Sequence, residues 1–569
     1  MRQIRCELTQ VIEAKSRPPE FYAGTRRPGE SLKPFVIGRL GSVQQPPSCS
    51  TWDICSLFAL YSAESSLYFA NILEVLMKIL FLYPEFPDTF WSFKHALKFI
   101  RKKASTPPLG LLTVAAMVPT EWEKRLVDLN VSTLNEKDLA WADIAFVSAM
   151  VVQRKSTQEV IVRCKAAGLK VVAGGPLFTA EYEQFPEVDH FVLNEAEMTL
   201  KPFLRDLEMG QAHRVYSSNE FPDIQQTPVP LWELAERKHY ATMSIQYSRG
   251  CPFDCEFCNI TALFGHLPRV KTSTQILQEL DGLYQLGWRE PVFFVDDNLI
   301  GNKKQLRNDL LPALIAWRKG KKGMPFNTEI SINIADDEPL MAMMTQAGFD
   351  TVFIGVETPD NDSLAECNKK QNLNRDLVAD VKRIQRAGLQ VQGGFIIGFD
   401  NDAISIFQRQ IDFIQKSGIV TAMVGLLQAP LGTRLYKRME QDGRLTGSFS
   451  GDNVDGATNI IPKDMPIEVL KKGYRTVMKT LYAPKNYYAR VRTFLKEYKA
   501  PRIKIPLNGE YIRAFFRSVL RLGIIGKERA HYWGLIFWTL FRRPELFALA
   551  ITFAIYGYHF RQVMDLHLV

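Results

Sequence analysis

Residues Tyr247–Ile260 read YSRGCPFDCEFCNI. Cys251, Cys255 and Cys258 stand there as Cys-x3-Cys-x2-Cys, directly after the apolar run 242–247 (TMSIQY), which predicts a strand that delivers the loop. Thiolates are the favoured protein ligands of iron–sulfur clusters. Three of them on one short loop can hold three irons of a [4Fe-4S] cubane and leave the fourth iron open to a ligand that is not a side chain. Structural zinc takes four closed ligands. No fourth Cys or His follows at zinc-like spacing, since His266 is isolated beyond Cys258. The other five of the eight cysteines are scattered, which argues against a disulfide framework and for a reducing, cytoplasmic setting.

Downstream of the cysteine loop, strand-length apolar runs recur at 291–295, 328–334, 351–356, 391–397 and 420–427. Helix-period segments such as 273–286 and 402–416 separate them. Six successive βα units over 241–444 predict a partial TIM-like (β/α)6 barrel, with its chemistry at the C-terminal strand ends. Upstream, 77–212 alternates in the same way. Strands are expected at 78–83, 125–130, 144–148, 169–173 and 190–193, with helices at 154–167 and 197–208. That pattern predicts a doubly wound α/β domain with a parallel sheet, binding its ligand outside the strand C-termini.

Residues 213–240, rich in Pro and turn formers, read as a linker, and 445–569 as a helical, basic and aromatic region. Residues 1–76 are rich in Pro, Gly and Ser and read as a disordered leader, or as upstream sequence from a mis-assigned start before the MKILFLYPEF that opens at Met77. A net charge of +9 on 569 residues is mild. It makes no case for nucleic acid and would suit a weakly anionic membrane surface. The most apolar run, Leu546–Phe560, is too short to span a bilayer.

The three-cysteine loop, with its aromatic Phe257, resembles the defining loop of the radical S-adenosylmethionine superfamily. The resemblance implies that the open iron chelates S-adenosylmethionine, whose reductive cleavage gives a 5′-deoxyadenosyl radical, with reduced ferredoxin or flavodoxin as electron donor. Further family features fall at strand ends. Asp296, Asp297 and Asn298 in FFVDDNLIGN stand where the family holds the methionine amino group, although the usual Gly-Gly-Glu wording is missing. Glu357 in FIGVETPDNDSL matches a ribose or carboxylate contact. Gly394, Ile396 and Gly398 in GGFIIGFDND match a Gly-x-Ile-x-Gly element near adenine. Pro430, Gly432 and Thr433 match a Pro-x-Gly-Thr turn that reads as structural.

The first domain resembles the cobalamin-binding domain of a radical subgroup. Ser148 and Met150 stand near a Ser-x-Leu element, Gly174 and Gly175 follow at the usual gap, and Pro108, Leu109 and Gly110 form a loop expected to face the corrin. The Asp-x-His-x-x-Gly element whose histidine would ligate cobalt is absent. His95, the nearest histidine, reads as surface or packing. The whole plan resembles the hopanoid methylases and also the anaerobic magnesium-protoporphyrin ester cyclase.

The resemblance thus implies a cobalamin-dependent methyltransferase acting on an unactivated carbon of a lipid or isoprenoid-like small molecule. The alternative is a radical cyclase or oxidative enzyme without methyl transfer. Aromatics Trp533, Phe537, Trp538 and Phe541 beside Arg542, Arg543 and Arg561 fit either an interfacial helix at a membrane or a packed helical cap.

Overall fold

A computed structural model describes residues 77–452, 454–499 and 509–567. The reading of 1–76 therefore lies outside the described residues.

Six parallel strands form the first sheet: β1 (Lys78–Tyr83), β2 (Glu123–Asp128), β3 (Ile144–Ser148), β4 (Lys170–Gly174), β5 (His190–Val192) and β6 (Val215–Tyr216), in the order β2-β1-β3-β4-β5-β6. The strand period of two explains why it is wound on both faces. Ile79 and Phe81 point to one side, into a core with Leu111, Ala115, Leu200 and Phe203. Leu80 and Leu82 point to the other, into a core with Val160, Ile161, Leu177 and Phe178. The order reverses at β1, between β2 and β3, so the ligand crevice of such a sheet opens at the C-terminal ends of β1 and β3.

Two expectations need correction here. The strand expected at 125–130 runs two residues earlier, because Lys78–Tyr83 pairs residue for residue with Glu123–Asp128. The segment read as linker supplies β6, which pairs with Phe191 and Val192.

The second sheet holds β7 (Met243–Ile245), β10 (Val292–Phe294), β11 (Phe326–Glu329), β12 (Phe349–Glu357), β13 (Gln390–Ile397) and β14 (Ala422–Leu426), all parallel and neighbouring in chain order. Between β7 and β10 a small antiparallel hairpin, β8 (Ser248–Arg249) with β9 (Arg269–Val270), flanks the cysteine loop. Among the described residues β7 and β14 do not pair, so this is the expected partial barrel. The strand expected at 328–334 ends at Glu329. The chain then tightens into a 3-10 helix at Ile332–Asp336, because Asn298 Oδ1 accepts the Ser331 N–H (3.2 Å) and turns the backbone out of the sheet.

Helices Ile467–Tyr482, Pro484–Glu497, Arg529–Arg542 and Phe547–His567 share one continuous core with the barrel. Tyr482 donates to the Ala422 carbonyl on edge strand β14 (2.6 Å). Buried Arg490 donates to Gln415 Oε1 (3.0 Å) and the Leu481 carbonyl (2.9 Å). His559 Nε2 reaches the Phe90 carbonyl (3.0 Å), and Phe560 stacks on Phe90 at 4.2 Å. His95 packs against His559 at 5.6 Å and faces Asp88 at 3.3 Å, which is the packing role expected of it.

Candidate active site

The cysteine loop leaves the hairpin at Gly250, whose φ of +93° and close approach to the carbonyls of Phe264, Gly265 and Leu267 exclude a side chain. From there it is held on every side. Arg438 grips Glu256 through two 2.8 Å bonds, Asn368 Nδ2 and Arg434 donate to the Asp254 carbonyl (2.7 Å each), and Glu256 N–H donates to the Cys367 carbonyl (3.0 Å). All three loop thiols are free of disulfides. Burial, and then proximity to Cys255, push the Cys251 and Cys258 thiols up, Cys258 to about 12.

Among the described residues no three His, Cys, Asp or Glu side chains converge on one metal ion. A cubane, however, spreads its thiolates over separate irons. Asn298 Nδ2 points at Cys251 Sγ (4.0 Å) and Gln371 Nε2 at Cys255 Sγ (3.7 Å). Amide donors aimed at sulfur suit an anionic cluster and tune its potential. The residues fit the group.

Around the loop, the strand ends gather most of the expected residues. Phe257, Ile396, Phe399 and Cys367 form one apolar cluster, so the aromatic of the cysteine loop meets the Gly-x-Ile-x-Gly element. Gly394 lies against the Phe353 ring, where a Cβ would stand 2.7 Å from Cζ. Gly398 takes a φ of +109°, and its N–H donates to Asp402 (2.8 Å). Glu357 adopts φ +67° and pairs with Lys369 (2.7 Å). Burial pulls the Lys369 ammonium down, but Glu357 and then Cys255 outweigh it and hold it above its usual range. Thr433 caps helix Arg434–Gln441 and Gly432 turns at φ +86°, the structural role expected of that turn.

The Asp296–Asn298 triplet separates into three jobs. Asp296 accepts the N–H groups of Tyr247 (3.2 Å) and Ser248 and the Ser248 hydroxyl (2.5 Å), so it braces the start of the hairpin. Asn298 orients Ser331 and faces Cys251. Asp297 alone keeps a buried carboxylate oxygen without a partner. Burial and neighbouring Asp296 push its carboxyl up to about 7. Beside it Glu329, at the end of β11, is raised to about 8 by burial, Asp297 and Asp296. Two half-buried carboxyls, one with a buried oxygen that lacks a partner, are able to take a cation such as an ammonium.

Sequence reasoning missed Glu329 at the end of β11, and Lys369 and Gln371 at the short 3-10 turn Lys370–Asn372, none of which belongs to a motif. It also missed the network on the hairpin. Arg249 binds Glu195 (2.6 Å) and Glu197 (2.9 Å), and Arg269 also binds Glu195 (2.7 Å). Glu195 and Glu197 open the helix after β5, so this nearly buried network fastens the first sheet to the hairpin that carries Cys251. At the first sheet, Ser148 and Gly175 touch so closely that a Cβ on Gly175 would stand 2.5 Å from Ser148 Oγ. Gly174 lies as tightly against the Val192 carbonyl. Met150 is exposed, and Pro108, Leu109 and Gly110 begin helix Leu109–Met117 with open space at Gly110. Ser148, Gly174 and Val192 end β3, β4 and β5, so they, with Met150 and Gly175 just beyond, sit at the C-terminal edge of the sheet.

Residues 245–414 match the family model described as Radical SAM superfamily, and 433–568 match a domain of unknown function, DUF4070. An uncharacterized methyltransferase of Synechocystis sp. is 39% identical over 499 residues, covering 86% of this chain and 92% of the relative. This chain belongs to the radical S-adenosylmethionine superfamily, among its methyltransferases. The hopanoid C-2 methylase of Rhodopseudomonas palustris is 35% identical over 402 residues, covering 69% of this chain and 75% of the methylase. A solved cobalamin-dependent S-adenosylmethionine radical enzyme, OxsB, superposes with a TM-score of 0.55 at 14% identity, over 86% of this chain and 84% of that one. It shares the fold. As a radical S-adenosylmethionine enzyme the chain takes a [4Fe-4S] cluster and S-adenosylmethionine.

Proposed function

We propose that the chain is a cobalamin-dependent C-methyltransferase that acts on an unactivated carbon of a lipid or isoprenoid-like substrate, with reduced ferredoxin or flavodoxin as electron donor and with peripheral attachment to a membrane. The observation that carries the reading is the Arg249 network. It fastens the helix after β5 of the first sheet to the hairpin that carries the cysteine loop, which suits two cofactors acting on one substrate. Kinship to a hopanoid C-2 methylase supports the substrate class.

When bound, the cluster and S-adenosylmethionine supply a radical that removes hydrogen, and cobalamin supplies the methyl group. The chain supplies position. Asp297, with Glu329 behind it, takes the methionine ammonium, and Glu357 with Lys369 lies beside the cluster loop. Ser148, Gly174 and Gly175 give the crevice floor its flatness, and no histidine ligand to cobalt is assigned. Trp91 reaches from the first domain into the barrel, where its Nε1 meets Met423 Sδ (2.9 Å) and its ring meets Phe353 at 5.5 Å. Together they wall the lumen with apolar surface and keep water from a carbon radical.

The test is anaerobic reconstitution with cobalamin, then mass analysis of lipid extracts from cells with and without the protein. A gain of one CH2 unit that carries label from the S-adenosylmethionine methyl group supports the reading. An oxidised or cyclised product without label overturns methyl transfer in favour of a cyclase-type reaction.

A further inference from the structure

We infer that the helical hairpin formed by residues 509–542 is a docking face for an anionic lipid bilayer. The inference rests on the lipid reading above only for its purpose; the face stands on its own geometry.

The hairpin pairs Gly509–Ser518 and its π-helical continuation Val519–Ile525 with helix Arg529–Arg542. Its inner side is closed. Ser518 Oγ and Tyr532 Oη bond at 2.9 Å, Trp533 Nε1 donates to the Gly523 carbonyl (3.0 Å), and a side chain on Gly523 would meet both rings. Its outer side is apolar and open. Ile512, Phe516, Leu520 and Ile524 recur every fourth residue and are all exposed, Phe516 by 64%. Phe537 and Phe541 stand exposed on the second helix, Phe541 by 79%. Single exposed apolar residues are ordinary, but such a stripe on adjoining helices marks an interaction surface.

Charge says what covers it. Residues 509–543 hold seven Arg or Lys against two Glu, and Glu528 is already bound to Arg561 (2.6 Å). Arg513, Arg521, Lys527, Arg529 and Arg542 are exposed. An apolar stripe among basic residues suits the boundary between anionic headgroups and acyl chains. Among the described residues no helix is long and apolar enough to cross a membrane, so the face would lie on the bilayer. The hairpin also packs on helix Phe547–His567, whose Phe560 stacks on Phe90 next to Trp91 of the lumen wall.

The test uses the full-length reconstituted protein and sedimentation with vesicles of phosphatidylcholine alone or with phosphatidylglycerol added. Binding should require phosphatidylglycerol and weaken as salt rises. Phe516→Ser/Phe541→Ser and, separately, Arg513→Glu/Arg529→Glu should each weaken it at least ~10-fold, with iron content and 5′-deoxyadenosine formation retained as proof of folding. Equal binding to both vesicle types, unchanged binding by both variants, or a dimer in solution that Phe516→Ser/Phe541→Ser breaks would each overturn the proposal. Methylation of detergent-dispersed substrate is scored separately. Its failure with vesicle binding intact sinks the methyltransferase reading alone, and its success without vesicle binding sinks this one alone.

Discussion

Replacing Arg249 with Met removes a buried cation while keeping the bulk of its side chain. Arg249 donates to Gln246 (2.8 Å), to Glu195 (2.6 Å) and twice to Glu197 (2.9 and 3.0 Å). Removing one partner of a buried ion pair costs about 3–5 kcal/mol, because a charge is left uncompensated. Here Glu195 keeps Arg269, and only Glu197 is orphaned, with Thr227 as its remaining donor (2.7 Å). The lower end, about 3 kcal/mol, therefore applies. Adding Glu197→Gln neutralises the orphan and should return about 1–2 kcal/mol. Burial pushes Glu197 up, but Arg249 outweighs it and holds the carboxyl below its ordinary value. The pair's contribution is therefore present above the unfolded carboxyl range and is lost as pH falls through the folded value. The assay is anaerobic denaturant unfolding at pH 7 and pH 4, followed by circular dichroism and by cluster absorbance. A cost below about 1 kcal/mol at pH 7, or a double variant no more stable than the single one, would refute the reasoning.

Alanine at Cys251, Cys255 or Cys258 should abolish the cluster absorbance and 5′-deoxyadenosine formation, whereas Cys367→Ala, whose thiol lies buried beside Phe257 and Phe399, should keep both on iron analysis. Calorimetry should show S-adenosylmethionine affinity rising with pH through about 7, since the Asp297 carboxyl, raised by burial and Asp296, must ionise to hold a cation; Asp297→Asn should flatten that profile and cost about 1.4 kcal/mol, or tenfold. Gly175→Ala, at φ +88° and against Ser148, should cost about 1–3 kcal/mol and lower bound cobalamin by absorbance while leaving iron content unchanged.

Both sheets were legible in the sequence because parallel strands buried on two faces read as largely apolar runs, as ILFLY at 79–83 and TVFIGV at 351–356 do. Ile332 and Ile334 misled for the same reason: they are buried, but in a 3-10 turn that Asn298 braces from the segment after β10. The short β6 carries too few apolar residues to register. The cysteine loop was readable because its chemistry is local. Asp296, Asp297 and Asn298 were found together, yet their separate duties depend on what Ser248, Ser331 and Cys251 bring from elsewhere. Lys369 and Gln371 had no local signal, since a single 3-10 turn too short to show a period places them.

The bond from His559 to the Phe90 carbonyl joins positions 469 residues apart. During synthesis the first sheet can pair as soon as it emerges, but the aromatic loop after β1, although Trp91 can meet Phe353 and Met423 of the barrel earlier, is not closed over until residues 547–567 have been made. Closing so wide a span is entropically slow. Newly made chains should therefore pass through a stage with both sheets formed and the loop around Trp91 still open. That stage is also when large cofactors could enter before the last helix shuts the wall.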